Sequence, residues 1–153
     1  MSLSDKVIDL LQGKTLSTAE SCTGGGIGSA LTAISGSSKV YCGGIISYTN
    51  QVKAKLLHVS DDDLEKYGAV SATVAEQMAK GVKEQLLTDI GVSVTGLAGP
   101  GGDDYGNPVG TVYIGYCDNN CCFSRHFIFS GDRNEVRQQT IDNALIIVIE
   151  QNQ

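Results

Sequence analysis

Thr15-Leu16-Ser17-Thr18-Ala19-Glu20-Ser21-Cys22-Thr23-Gly24-Gly25-Gly26-Ile27-Gly28-Ser29-Ala30-Leu31-Thr32-Ala33-Ile34 is the stretch on which the fold turns. Residues 15–19 are mostly β-branched or small and predict a strand. Glu20–Gly26 breaks that strand, and the small-residue run of 27–34 predicts a helix able to pack closely. A strand opening through glycines into a helix is the first half of a βαβ unit. Upstream, Ser4 is placed to cap a short helix carrying Val7, Ile8, Leu10 and Leu11, which Gly13 ends.

Downstream the alternation continues. Residues 35–38 read as a loop and 40–48 as a buried strand centred on Ile45 and Ile46. Asn50 caps a helix through Leu57, and Ser60 opens another that stops near Gly68. The Asp61-Asp62-Asp63 run suits the first turn of that helix, where acids complement the macrodipole. Ser71 caps a longer helix in which Val74, Met78, Val82 and Leu86 recur every four residues. A strand follows over 91–97. Two more, over 109–116 and 122–129, flank Asp118-Asn119-Asn120 as a hairpin, and a last helix runs from Arg133 to Glu150. The pattern predicts an α/β protein: three layers, α/β/α, around a mixed, mostly parallel sheet with a late antiparallel hairpin. No repeat or linker interrupts residues 1–153, so a single domain is expected.

Composition removes several function classes. The 19 glycines have no collagen-like period and stand beside only 2 prolines, which excludes fibrous and linker-like readings. Instead they cluster, at 24–28, 43–44, 96–102 and 106–110. A net charge of −6 argues against nucleic-acid binding, although a few arginines in one pocket could still hold a small anion. The longest apolar run, Ala144–Ile149, is too short to span a membrane. Residues 1–13 lack a secretory apolar core, and the 5 cysteines form an odd set. Reduced thiols and a cytoplasmic location are therefore expected.

Chemistry is expected where strands end, because open α/β sheets bind ligands at the carboxyl ends of their strands. Ser21 lies in such a turn, ahead of glycines whose N–H groups could receive an anion; it reads as a nucleophile or as a simple cap. Cys22 in the same turn is a rival nucleophile. His58 and His126 read as packing or surface residues, which leaves lysine as the base. Lys53 sits one turn into the helix that follows the Tyr48 strand end, and Lys55 is its competitor on another face. The loop from Gly96 to Gly110 could approach a ligand, and Asp103 with Asp104 could attract Mg²⁺ or simply be solvated. Arg133 and Arg137, one helical turn apart at a helix start, read either as a phosphate clamp or as partners of Asp132 and Glu135.

Taken together these segments resemble the CinA C-terminal domain family. The likeness runs through Thr18–Gly25, Gly43–Asn50 with Lys53, Gly68–Ser71, Gly96–Pro100 with Pro108–Val112, and Phe129–Arg133 with Val136 and Arg137. It implies an amidohydrolase that converts nicotinamide mononucleotide and water to nicotinate mononucleotide and ammonia. It carries the nucleophile onto Ser21 and the base onto Lys53, with Tyr48 at a further active-site position. Thr23, Gly24, Gly25, Gly99, Arg133 and Arg137 fall at substrate-binding positions. The resemblance implies no metal or organic cofactor and a homo-oligomer, while the acidic charge balance and short apolar run leave no nucleic-acid or membrane partner expected. The chain departs from the family pattern at Asp103, often Gly, and at Asn107, often Lys. Those departures motivate an alternative, a nucleotide-binding or regulatory domain of the same fold without catalysis.

Overall fold

The computed structural model describes residues 1–153. Helix α1 (Leu3–Leu10) leads into β1 (Leu16–Glu20), α2 (Gly26–Thr32), a 3-10 turn (Ser37–Lys39) and β2 (Tyr41–Ile46). Three helices follow, α3 (Asn50–Leu57), α4 (Asp61–Tyr67) and α5 (Ala72–Leu86). Then come β3 (Ile90–Gly96), β4 (Thr111–Cys117), β5 (Cys122–Ile128) and α6 (Arg133–Gln151). The five strands form one sheet in the order β2-β1-β3-β4-β5. Strands β2, β1 and β3 are mutually parallel, while β3–β4 and β4–β5 pair antiparallel. The antiparallel part thus extends one pair inward from the expected hairpin.

Side-chain size sorts the two faces of the sheet. On β3, Ile90, Val92 and Val94 project into the larger core with residues of α1, α2 and α6. The alternate residues Gly91, Ser93 and Thr95 face α5 and the segment leading to it. There Ser93 Oγ donates to the Ala75 carbonyl and Thr95 Oγ1 to that of Ala69. A Cβ at Gly91 or Gly115 would run into the carbonyls of Ala79 and Ala75, so glycine lets α5 lie directly on the sheet. A second core gathers Leu57, Val59, Leu64, Val74, Met78 and Val82 beneath α3, α4 and α5. No helix is long and apolar enough to cross a membrane.

Three local expectations change. The first cap is Ser2, not Ser4: its hydroxyl receives the Asp5 N–H, and the Asp5 carboxylate receives the Ser2 N–H. Thr49, not Asn50, caps α3 by accepting from Val52 N–H. The cysteines are not all free thiols, because Cys117 and Cys122 face each other across the hairpin and are joined as a disulfide. By contrast, Ser60 caps α4 at the Asp run and Ser71 caps α5, as their sequences predict.

Topology gathers the motifs at one end. Strands β1, β2 and β3 are parallel, so Ser21, Ser47–Tyr48 and the 97–110 loop all follow strand carboxyl ends on the same side. β5 runs antiparallel to β4 and delivers the start of α6, with Arg133, to that side as well.

Candidate active site

Ser21 begins where β1 stops. Gly24 and Gly25 adopt φ of +58° and +101°, a left-handed region that favours glycine, so the chain turns sharply from strand into α2. Glu20, 2 % exposed, sits beneath this turn. Its carboxylate accepts from Thr23 Oγ1 at 2.6 Å and from the N–H groups of Ile27 and Gly28 at 2.9 and 3.0 Å. The helix N-terminus is therefore occupied by the protein's own anion. Gly24 N–H donates to the Ser21 carbonyl at 3.2 Å, whereas the N–H groups of Cys22 and Thr23 have no partner within the protein. Of these last two residues only Cys22 lines the cleft.

Lys53 reaches Ser21 from the first turns of α3. Its Nζ lies 3.0 Å from Ser21 Oγ and donates to the Ser47 carbonyl at 2.7 Å and the Tyr48 carbonyl at 3.3 Å. The side chain is 1 % exposed, and no carboxylate stands within ion-pairing distance of it. Burial without a counter-ion lowers its pKa from the ordinary 10.5 to about 8. The three oxygens suit both protonation states. An ammonium can donate to all three, and after losing one proton the amine keeps both carbonyls and turns its lone pair toward Ser21 Oγ. Lys55, the competitor by sequence, is exposed.

The cleft above this pair has a volume of about 590 Å³. Tyr48, Asn50, Thr95, Arg133 and the 96–105 loop form its walls. Arg133 donates to the Gly99 carbonyl at 2.8 Å and to Tyr48 Oη at 3.2 Å, which ties loop and rim together and leaves guanidinium donors free. Asp103 and Asn107 form a pair: Asn107 Nδ2 donates to the Asp103 carboxylate at 2.7 Å, and the N–H groups of Tyr105 and Asn107 donate to it as well. Tyr105 then pins the loop to α4 by donating to the Glu65 carbonyl at 2.6 Å.

Sequence reasoning and geometry part at several residues. Ser21, Lys53, Tyr48, Gly99 and Arg133 all line the cleft. Thr23, Gly24, Gly25 and Arg137 do not. Thr23 is fully buried with its hydroxyl on Glu20. Arg137 diverges from Arg133 and donates to the carbonyls of Cys22 and Thr23, each at 3.0 Å, so the two arginines do not converge as a clamp. Cys22 is 6 % exposed, and burial pushes its thiol up to about 11. It therefore stays protonated at neutral pH and is a poor nucleophile beside Ser21. His58 is exposed at the end of α3, and His126 is exposed and stacked on Tyr113; neither lines the cleft. The roles of Glu20 and of the Ser47 carbonyl escaped the sequence reading. An acid closing a buried strand just before a helix start is the signal that would have found the first.

Fold and site together describe a three-layer α/β domain whose cleft is organised around a serine and a buried lysine. The chain belongs to the CinA C-terminal domain family, matching it over residues 1–151. It is 53% identical over 137 residues to a CinA-like protein of Microcystis aeruginosa, covering 88% of this chain and 33% of that protein. A CinA-like protein of Thermosynechococcus vestitus is 51% identical over 149 residues, covering 94% of this chain and 36% of that one. The chain thus spans about a third of the length of the curated relatives it matches. Among solved structures, the competence/damage inducible protein CihA of Agrobacterium tumefaciens superposes with a TM-score of 0.95 at 39% identity, over 99% of this chain and 94% of that one. A CinA superfamily protein of Escherichia coli gives 0.93 at 35% identity, over 98% and 90%.

Proposed function

We propose that this domain is an amidohydrolase that deamidates nicotinamide mononucleotide through Ser21 and Lys53. The observation carrying this reading is the 3.0 Å approach of a buried, counter-ion-free lysine to a serine at the cleft wall. The neutral amine takes the Ser21 proton as Oγ bonds to the carboxamide carbon. The resulting oxyanion is received by the unpartnered Cys22 N–H, an interaction of a kind that contributes ~3–4 kcal/mol in related chemistry. Collapse breaks the C–N bond, and the Lys53 ammonium returns its proton to the departing nitrogen, which leaves as ammonia. Lys53 then deprotonates a water, whose oxygen bonds to the ester carbon. The C–Oγ bond breaks, Ser21 Oγ takes the proton back from Lys53, and the product leaves as a carboxylate with its acid proton passing to solvent.

Arg133 binds the 5′-phosphate with its free guanidinium donors, and the Tyr48 ring gives the pyridine an apolar wall. Arg133→Ala is expected to raise KM for the mononucleotide about 10–100-fold, the loss of one or two charge-assisted hydrogen bonds. KM for the phosphate-free riboside should change far less; equal effects on both would remove Arg133 from the phosphate. The reaction itself is tested by ammonia release from pure protein. Nicotinamide mononucleotide is expected to yield ammonia and nicotinate mononucleotide in equal amounts, and free nicotinamide to yield none. A protein that binds the mononucleotide in calorimetry without turning it over would be a binding domain instead.

A further inference from the structure

Arg137 stands directly behind the nucleophile turn. Its Nε donates to the Cys22 carbonyl and a terminal nitrogen to the Thr23 carbonyl, both at 3.0 Å. The guanidinium does not line the cleft, whereas Ser21 and Cys22 do. No carboxylate lies within ion-pairing distance of Arg137, so its hydrogen bonds to the turn are not shared with a counter-ion. A planar trans peptide points its N–H opposite to its C=O. Holding two successive carbonyls therefore fixes the directions of the Thr23 and Gly24 N–H groups. Gly24 N–H in turn bonds the Ser21 carbonyl at 3.2 Å, which orients the Ser21–Cys22 peptide and hence the unpartnered Cys22 N–H.

We propose that Arg137 is a positioning residue: from behind the turn, its guanidinium fork sets the peptide planes that aim Ser21 Oγ and the Cys22 N–H at the reacting carbonyl. Its spacing from Arg133 suggested a phosphate ligand; the geometry assigns it to the transition state instead. Two forked bonds to two carbonyls are a task for arginine, because a lysine offers a point charge without a fixed direction. The proposal rests on Ser21 as the nucleophile but not on the identity of the amide.

A small alkyl phosphonofluoridate tests it without any nucleotide. Ser21 Oγ bonds to phosphorus, the P–F bond breaks, fluoride leaves, and the serine proton passes through Lys53 to water. The phosphoryl oxygen occupies the position of the oxyanion. The rate of Ser21 labelling, followed by intact mass, is expected to fall about 10–100-fold in Arg137→Ala, the scale of a misplaced oxyanion donor. Arg137→Lys should fall between Arg137→Ala and wild type. Arg125→Ala, which breaks a surface pair with Glu150 and a contact over the Phe123 ring, both away from the cleft, serves as the control and should label at the wild-type rate. Thermal unfolding of Arg137→Lys should lie close to wild type, which separates aim from folding. Where the amidase reading holds, Arg137→Ala should lower kcat on the mononucleotide and the riboside alike and leave both KM values nearly unchanged. Labelling of Arg137→Ala at the wild-type rate, or a wild type that leaves Ser21 unlabelled, would overturn the proposal. Slowed labelling without ammonia release from the mononucleotide would retain Arg137 in this role and reject the substrate.

Discussion

Replacing Lys53 by Met is expected to lower kcat/KM for nicotinamide mononucleotide by about 10²–10⁴-fold, the usual contribution of a positioned general base. Methionine keeps the length and packing of the buried stem while removing the nitrogen that meets Ser21 Oγ at 3.0 Å. The wild type should show the base in its pH profile. With Lys53 lowered to about 8, roughly one-tenth of the protein carries a neutral amine at pH 7, so kcat/KM should climb with pH through an inflection near 8. Stability moves with the same group. The folded state holds Lys53 at about 8 and the unfolded chain near 10.5, so between these values the unfolded state binds more protons and stability rises with pH. Below pH 8 the folded protein buries an ammonium, a cost on the order of 3 kcal/mol that is relieved by pH 10.5. Denaturant titrations should therefore show Lys53→Met losing ground to wild type as pH rises through this window. A difference that stays flat across it would contradict the burial of an unpaired lysine.

Ser21→Ala should produce the largest loss, on the order of 10⁴–10⁶ in kcat, because nucleophile and base act as a unit. The two losses should not add: the Ser21→Ala, Lys53→Met double variant should be about as slow as Ser21→Ala alone. Binding should survive, since Arg133 and the 96–105 loop do not depend on the Ser21 hydroxyl. Calorimetry on Ser21→Ala is expected to give a mononucleotide affinity within a few-fold of wild type. Loss of binding together with turnover would mean that the serine hydroxyl supports the cleft and not the chemistry.

Local sequence carried the strand and helix positions, because each rests on signals a few residues apart. Ser60 and Ser71 stand before their helices, and the alternation along Ile90–Gly96 already separates large from small side chains. Ser21 and Lys53 were legible for a related reason, since both follow strand ends and parallel strands bring those ends together. What was not legible depends on directions that spacing leaves open. Arg133 and Arg137 share a helix face in sequence, yet one reaches across to Gly99 and Tyr48 while the other reaches back to Cys22 and Thr23. The glycine turn reads as an open anion nest in sequence, but the Glu20 carboxylate, folded back beneath it, already fills the N-terminus of α2. Asp103 and Asn107, read as separate positions in the sequence, become one feature once their 2.7 Å hydrogen bond is seen to close the 99–107 loop.

The most direct measurement is the mass of the Ser21-containing peptide from protein quenched in acid during turnover of nicotinamide mononucleotide. A Ser21 ester intermediate predicts a fraction of that peptide heavier by the mononucleotide less ammonia, with no such species in Ser21→Ala. Ammonia release with the Ser21 peptide unmodified, and at an undiminished rate in Ser21→Ala, would contradict it.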